Sequence, residues 1–275
     1  MTRLVRTREE LDEATAAPMA TAVVMTMGAL HEGHAQLMRE ARRHLPTDGR
    51  VIVTDFVNPM QFGAGEDFDR YPRTLEADVG VCERNGVDIV FAPSVSEVYG
   101  GAELGITVDP GPRGAILEGA SRPGHFAGVL TVVAKLLHMT RPDIALYGEK
   151  DYQQYAVLRS MARDLAMGIE IVPGPLVRDD DGLALSSRNV YLSPEQRVRA
   201  RSLHRALFHI RDMADPSAEA RIAAGRAHID ADGIDYLTIV DPETLEPIDR
   251  VDRPARALLV ARYGSVRLLD NVALQ

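Results

Sequence analysis

Two histidines stand three residues apart in the segment TMGALHEGHAQLM, residues 26–38. The β-branched run before this segment predicts a buried strand, and the spacing of the apolar residues after it predicts a helix. His31 and His34 therefore fall at a helix N-terminus, with both imidazoles on the same side of the first turn. Unpaired backbone N–H groups and the helix dipole favour anions there, and Gly33 lets a phosphate approach the backbone. The pattern favours binding of a phosphate whose charge changes during a reaction.

A simpler interpretation of the pair stays open: one histidine caps the helix and the other packs against it. A metal site is a further alternative. The pair has no cysteine partner and lacks the His-x3-His helix spacing, so the sequence does not favour a metal.

Two amides follow the next predicted strand in the segment FVNPMQF, residues 56–62. Fixed donors and acceptors on Asn58 and Gln61 can bind a carboxylate or a hydroxyl of a substrate. The alternative for this segment is an ordinary Asn-Pro turn.

Cations and hydroxyls occur in two later segments, YGEKDYQQY (147–155) and LSSRN (185–189). Lys150 can meet a phosphate as a point charge, and Gln154 lies one helical turn after Asp151, so both can face one cleft. The hydroxyls and arginine of LSSRN suit phosphate or carboxylate recognition. A capping aspartate beside a solvated lysine, and a turn that caps the next helix, are the simpler interpretations.

Composition limits the class of protein. The 275 residues are 45% hydrophobic and 26% charged, which supports a packed core. A net charge of −9 argues against a nucleic-acid partner, and no apolar run approaches the roughly 20 residues of a membrane helix. The N-terminal segment is charged and lacks the apolar core of a secretory signal, and Cys82 is the lone cysteine. These features favour the cytoplasm.

Strand and helix patterns alternate through residue 173. Strands are predicted at 20–26, 50–59, 87–93, 143–148 and 169–173, and helices at 32–44, 74–85, 125–139 and 150–167. This alternation predicts an α/β fold: a Rossmann-like, mainly parallel sheet with helices on both faces. Such sheets bind ligands beyond the carboxyl ends of their strands, which is where the histidine and YGEKD segments lie.

The pattern changes after Pro175. A polar, turn-rich stretch precedes a long helix that starts at Ser193-Pro194-Glu195. A second helix is predicted near 217–230, and strands at 236–240, 257–264 and 266–269. We therefore expect a Rossmann-like domain over 1–177 and a smaller α+β C-terminal domain over 178–275.

Six segments in order resemble the pantoate–β-alanine ligase family of the HIGH-motif nucleotidyltransferase superfamily: TMGALHEGH, FVNPMQF, YPRT, RPGHFAGV, GEKDYQQ and DGLALSSRN. The match that runs through these segments extends over most of residues 20–195. The resemblance implies ATP-dependent condensation of (R)-pantoate with β-alanine to pantothenate, AMP and diphosphate, through a pantoyl-adenylate. It also implies Mg²⁺ with the ATP, a homodimer, and a C-terminal domain that closes on ATP as a lid.

The same resemblance implies roles for individual residues. ATP would contact Met27, Gly28, Ala29, Leu30, His31, Glu32, Gly33, His34, Gly148, Glu149, Lys150, Asp151, Val177, Leu185, Ser186, Ser187 and Arg188. His34 would be the proton donor, with His31 and Lys150 on the phosphates, and these three form the predicted catalytic set. Gln61 and Gln154 would hold pantoate, with Gln61 also near β-alanine and Asn58 in the same substrate-binding set.

Some positions depart from the family pattern or have no assigned role in binding. Met25 stands where the family usually has proline, and Asp55 stands where the strand is usually apolar, close to the predicted pantoate pocket. Arg122 and His125 of RPGHF are expected to position a loop. The sequence assigns no Mg²⁺ ligand, although Asp78 is one candidate.

Three other classes of protein are weighed against the ligase. A nucleotidyltransferase with another substrate would be expected to lack the NPxQF and KDxQQ segments. A binding protein without activity would not need its histidines, Lys150 and Arg188 intact. A Rossmann oxidoreductase is disfavoured because no G-x-G-x-x-G follows the first predicted strand.

Overall fold

The computed structural model describes residues 1–63, 65–66, 68–101 and 104–274. Its contacts divide the chain into two compact units. The first unit contains Met1–Glu149 and Val157–Pro175, and the second contains Lys150–Ala156 and Leu176–Gln275. Among the helices of the described residues, none is long and apolar enough to cross a membrane.

The first unit is built on a parallel sheet. Its strands over the described residues are β1 (Arg3–Val5), β2 (Thr21–Thr26), β3 (Arg50–Asp55), β4 (Ile89–Phe91), β5 (Ile144–Gly148) and β6 (Glu170–Gly174). Their order in the sheet is β1-β4-β3-β2-β5-β6, and each neighbouring pair is parallel. The chain proceeds from β2 to β3 on one side and later reaches β5 on the other. The carboxyl end of β2 is therefore the point where ligands bind in such sheets.

Helices connect these strands. The described residues form α1 (Arg8–Ala14), α2 (Glu32–His44), α3 (Leu75–Arg84), α4 (Val95–Tyr99), α5 (Glu118–Ser121), α6 (His125–Thr140) and α7 (Tyr152–Asp164). Short 3₁₀ helices lie at Pro59–Gln61, Phe68–Arg70, Pro112–Gly114 and Glu149–Asp151.

The sheet is buried on both faces. On one face, Val24 and Val53 pack in a cluster with Met38 of α2. Val23 and Ile52 alternate with them and are also 0% exposed. Since successive strand residues point to opposite faces, helices must cover both, as the apolar runs predict.

The predicted elements of this unit are confirmed, with changes at their ends. The helix predicted at 32–44 has these bounds, whereas β3 ends at Asp55 and not at residue 59. The strand stops early because the Asn58 side chain accepts a hydrogen bond from Met60 N and caps the 3₁₀ helix. The sequence pattern did not reveal β1 and α1, because the strand has only three residues and the helix is mostly charged.

The second unit is a smaller α+β assembly, as predicted. Its described elements are a 3₁₀ helix (Ser187–Tyr191), α8 (Pro194–Asp212), α9 (Ala218–Arg226), β7 (Gly233–Val240), β8 (Ala255–Tyr263) and β9 (Val266–Leu274). The strands form an antiparallel sheet in the order β7-β8-β9. Ser193 caps α8 in a capping box with Gln196, which confirms the predicted start. Apolar side chains of α8 such as Leu203 and Leu207 bury one face of this sheet.

The contact grouping differs from the sequence division at one important segment. Lys150–Ala156 group with the second unit, whereas the predicted division keeps them within 1–177. The Tyr152 hydroxyl donates to the Pro242 carbonyl at 3.2 Å, which is one of the contacts responsible. Periodicity cannot reveal this, because the helix pattern of α7 continues across residue 156.

Candidate active site

The turn after β2 has a strained backbone. Gly28 has φ +77° and Ala29 has φ +52°, both in the left-handed region. A Cβ at Gly28 would lie 2.6 Å from Asp55 Oδ1, so only glycine fits. A left-handed alanine costs on the order of 1–2 kcal/mol, so surrounding contacts must hold it.

Asp78 of α3 provides those contacts. Its carboxylate accepts hydrogen bonds from Ala29 N at 3.0 Å and Leu30 N at 2.7 Å. The Thr74 hydroxyl also donates to it, at 3.0 Å. Asp78 is 2% exposed. Both carboxylate oxygens of Asp78, the residue that the sequence offered as a candidate Mg²⁺ ligand, thus hold the turn.

Asp55 lies beneath the same turn, at the end of β3. Burial raises its pKa to about 6, and the charge of Asp78 and a hydrogen bond shared with Asp78 contribute in the same direction. The sequence identified Asp55 as a departure near the pantoate pocket. The structure places it under Gly28, where it and Asp78 form a carboxyl pair.

The histidine pair caps α2 reciprocally. His31 is the N-cap, and its Nδ1 accepts a hydrogen bond from Gly33 N at 3.1 Å. Nδ1 of His34 accepts from His31 N at 3.2 Å, and the ring centroids are 4.1 Å apart. Because both Nδ1 atoms accept, each neutral ring carries its proton on Nε2. The capping interpretation is therefore correct for His31, and the same geometry makes both rings donors through Nε2.

Asn58 and Gln61 have different surroundings. Asn58 is 1% exposed, and its Oδ1 accepts from Met60 N and from the Tyr99 hydroxyl, at 3.1 and 2.6 Å. Its Nδ2 donates to Gln61 Oε1 at 3.1 Å and to the Gly128 carbonyl at 3.2 Å. Asn58 thus positions Gln61, whose side chain is half-buried.

The RPGHF segment contacts the same glutamine through its backbone. His125 Nδ1 and Arg122 Nη2 donate to the Gln61 carbonyl, at 2.8 and 3.2 Å. Burial lowers the pKa of His125, and the charge of Arg122 lowers it further, which keeps the imidazole neutral. A Cβ at Gly128 would lie 2.1 Å from the Met60 carbonyl, so glycine lets α6 approach this segment. The expectation that Arg122 and His125 position a loop agrees with these contacts.

The YGEKD segment changes from strand to helix at Gly148. A 3₁₀ turn, Glu149–Asp151, precedes α7, so the helix predicted from residue 150 begins at Tyr152. Lys150 Nζ lies 3.6 Å from Asp151 Oδ1, and its side chain is 21% exposed. Gln154 is half-buried in the first turn of α7.

In the second unit, a hairpin brings two predicted ATP-binding segments together. Leu185 N donates to the Val177 carbonyl at 3.0 Å, and Arg178 and Ala184 form a β-bridge. Ser186 then caps the 3₁₀ helix by accepting from Arg188 N at 3.3 Å. The sequence interpretation was a turn that caps the next helix, whereas Ser186 caps a 3₁₀ helix that the segment itself forms and Ser193 caps α8. The Ser186 cap fixes the backbone of the Leu185–Arg188 loop.

Sequence reasoning missed the residues that hold these segments in place. Thr74 and Asp78 support the histidine turn, and Asp270 and Asn271 support the segments of the second unit. One signal was available: Asp270 and Asn271 are adjacent polar residues, both buried, within the mostly apolar strand VRLLDNVAL.

Comparison with known proteins agrees with this geometry. The family model for pantoate–β-alanine ligase matches residues 2–273. A pantothenate synthetase from a Nocardioides species is 56% identical, over 98% of this chain and 85% of that protein.

Solved structures give the same result. The pantothenate synthetase of Thermus thermophilus superimposes with a TM-score of 0.92 at 47% identity, covering 98% of this chain and 99% of that one. The pantoate–β-alanine ligase of Francisella tularensis, solved with β-γ ATP and β-alanine, gives 0.81 at 30% identity, covering 99% and 97%. This chain therefore belongs to the pantoate–β-alanine ligase family and is a ligase that joins pantoate to β-alanine.

Proposed function

We propose that the ligation is driven by ATP and proceeds through a pantoyl-adenylate. The pantoate carboxylate attacks the α-phosphorus of ATP, and the bond to the β-phosphate breaks, which releases diphosphate. The β-alanine amine then attacks the acyl carbon, AMP leaves, and the amine loses a proton to give pantothenate. These reaction steps require that the protein position the substrates and donate hydrogen bonds to the phosphates, and they do not require a protein nucleophile. A relative solved with β-γ ATP and β-alanine supports the substrate assignment.

The main support for this proposal is the reciprocal cap that His31 and His34 form at the start of α2. Two Nε2–H donors stand at the N-terminus of a 13-residue helix, next to a left-handed turn fixed by Asp78. In our proposal, residues 27–34 bind ATP, His31 contacts the phosphates and His34 donates a proton as diphosphate leaves. A preorganised donor of this kind stabilises the charge that develops in the transition state.

The amide pair supports the assignment of the other substrates. We assign pantoate to Gln61 and Gln154, with Gln61 also facing β-alanine. Asn58, whose side-chain atoms are hydrogen-bonded within the unit, acts by holding Gln61 in place. Lys150 completes the catalytic set as a cation for the phosphates.

We assign further contacts with ATP to residues of the YGEKD segment and of the hairpin in the second unit. They are Gly148, Glu149, Asp151, Val177, Leu185, Ser186, Ser187 and Arg188. The hydrogen bond from Leu185 N to the Val177 carbonyl supports treating their two segments as one ATP-binding element. We further propose that the second unit closes on ATP as a lid. Small-angle scattering profiles that are identical with and without a nonhydrolysable ATP analogue would contradict this closure.

Mg²⁺, the homodimer and a cytoplasmic location also remain proposals. Among the described residues, no group of three or more His, Cys, Asp or Glu side chains could hold a metal ion. We propose that a Mg²⁺ ion binds together with the phosphates of ATP, since this ion is commonly held by few protein ligands plus substrate phosphates. There it would neutralise phosphate charge.

Isotope exchange between diphosphate and ATP tests the mechanism. Exchange that requires pantoate and proceeds without β-alanine is expected, because the adenylate forms before the amine reacts. If the protein binds ATP and joins the two substrates but shows no such exchange, the free adenylate intermediate is wrong.

A further inference from the structure

The peptide carbonyl of Lys150 is held by a residue from the far end of the chain. Asn271 Nδ2 of β9 donates to the Lys150 carbonyl at 2.9 Å, across 121 residues of sequence. Both residues belong to the second unit. Asn271 is 3% exposed, so this hydrogen bond lies largely out of water.

The Asn271 side chain is itself fixed from the opposite side. Arg256 Nε of β8 donates to Asn271 Oδ1 at 2.8 Å. The same guanidinium lies over the Tyr152 ring, with Cζ 3.9 Å from the centroid. Arg256 and Asn271 thus hold two points of the segment that carries Lys150: its carbonyl and the aromatic ring two residues later.

The neighbouring residue of β9 anchors the other ATP-binding element of this unit. Arg178 donates to both oxygens of Asp270, at 2.7 and 2.8 Å, and Asp270 is 3% exposed. Arg178 also donates to the Asn271 carbonyl at 3.3 Å. A bidentate guanidinium–carboxylate pair fixes orientation as well as distance. The strand that carries Asn271 is therefore held firmly where it meets Lys150.

We infer that Asn271 is a positioning residue for Lys150. By holding the Lys150 carbonyl, it sets the direction in which the Lys150 side chain leaves the backbone, and so where its ammonium meets the phosphates. This inference rests on the proposed role of Lys150 in adenylation. It adds a residue 121 positions away that acts through the peptide of the lysine.

The substitution Asn271→Asp separates positioning from packing. Aspartate keeps the size of the side chain and its acceptor toward Arg256, but it replaces the donor toward Lys150 by an oxygen that repels the carbonyl. A displacement of about 1 Å at a catalytic group costs up to roughly 100-fold in rate. We expect pantoate-dependent diphosphate–ATP exchange to fall about 10- to 100-fold, with a raised KM for ATP. The KM for β-alanine should be unchanged, because β-alanine is assigned to Gln61 in the first unit.

Asn85→Asp is the matched control. Asn85 Oδ1 accepts from Arg39 Nη1 at 2.9 Å, and its Nδ2 donates to the Val81 carbonyl at 2.8 Å. The chemistry therefore matches that of Asn271, but Asn85 is the C-cap of α3 in the first unit and is bonded to the proposed ATP-binding residues only indirectly, through Arg39, which also pairs with the Glu32 side chain. Exchange in this variant should remain near that of the wild type.

A double-mutant cycle with Lys150→Ala distinguishes a positioning role of Asn271 from a purely structural one. If Asn271 acts through Lys150, Asn271→Asp adds little further loss once the lysine side chain is gone. If the loss of exchange in the double variant equals the two single losses combined, the inference is overturned. Near-normal exchange in Asn271→Asp alone would also overturn it. If Asn271→Asp does not fold, the same cycle with Asn271→Ser applies, since the shorter hydroxyl cannot reach the carbonyl. Absence of exchange in the wild type would overturn the proposed function and this inference with it, whereas failure in the variants alone overturns only the inference.

Discussion

Replacing Asp55 by asparagine should make the protein more stable than the wild type at neutral pH. Burial and the charge of Asp78 raise the pKa of Asp55 from 3.8 to about 6. The folded state therefore binds a proton that the unfolded chain has released. The stabilisation by this proton is present at low pH and is lost as the pH rises through about 6.

The magnitude follows from the change in pKa. A pKa raised by about 2 corresponds to roughly 3 kcal/mol of lost stability above pH 7. Asp55 is half-buried, so we expect about 1–3 kcal/mol to be recovered by Asp55→Asn. The asparagine amide can still donate to Asp78, as the protonated carboxyl does, without the repulsion between two carboxylates.

Urea unfolding of both proteins at several values between pH 4.5 and 8 measures this difference. The gain in unfolding free energy should grow as the pH rises and become small near pH 4.5. The m-value, the slope of this free energy against urea concentration, should be unchanged. A constant difference at every pH, or a less stable variant at pH 8, would refute the proposed proton on Asp55.

Glu66→Gln is a control in which the effect on stability should have the opposite sign and the opposite pH dependence. A hydrogen bond from Arg122 lowers the pKa of Glu66, so the stabilisation by this carboxylate is present at neutral pH and is lost in acid. The Glu66 side chain is 27% exposed, and removing its charge should cost only about 0.5–1 kcal/mol at pH 8. This cost should fade as the pH falls.

Other variants test the site directly. His34→Ala and Lys150→Ala should each lower diphosphate–ATP exchange by at least about 100-fold while the protein stays folded, and near-normal exchange would remove that residue from the mechanism. Gly28→Ala should cost about 2 kcal/mol or more in unfolding free energy and raise the KM for ATP, because a Cβ meets Asp55 Oδ1 at 2.6 Å; wild-type values for both would contradict the described turn. Asn58→Ala should destabilise the protein by about 1–3 kcal/mol and raise the KM for pantoate more than that for ATP, since its partners lose their hydrogen bonds. Equal rises in both KM values would contradict its role in holding Gln61.

Much of the fold could be predicted because the spacing of apolar residues along the chain follows the faces that are buried. Runs such as TAVVMT can be buried on both faces only inside a parallel sheet, and the stripe of Leu37, Met38 and Ala41 gives a helix with one apolar face. The start of α8 was readable because Ser193 and Pro194 are local signals. By contrast, β1 is only three residues long and α1 is mostly charged, and β1 is ordered by pairing with β4, which lies far away in the sequence.

In the candidate site, the sequence predicted the residues proposed to contact the substrates, but not the residues that hold them in place. The histidine pair could be located because capping and helix geometry act within four residues. The supports could not be located, because Asp78 and Asn271 reach the Leu30 and Lys150 backbones across 48 and 121 residues. No local pattern records a contact between segments so far apart. The proton on Asp55 likewise depends on a carboxylate from another element.

The assignment of Lys150–Ala156 to the second unit has a consequence for dissecting the protein. The polypeptide passes between the two units at 149/150, at 156/157 and at 175/176, so three covalent crossings join them. No single cut can yield two fragments that each keep all of their own packing partners. A fragment ending near residue 175 would carry Lys150 away from Asn271, and a fragment beginning at 176 would contain Asn271 without the peptide that it binds. A proposed catalytic lysine in the first two thirds of the sequence thus depends for its packing on the last strand of the chain.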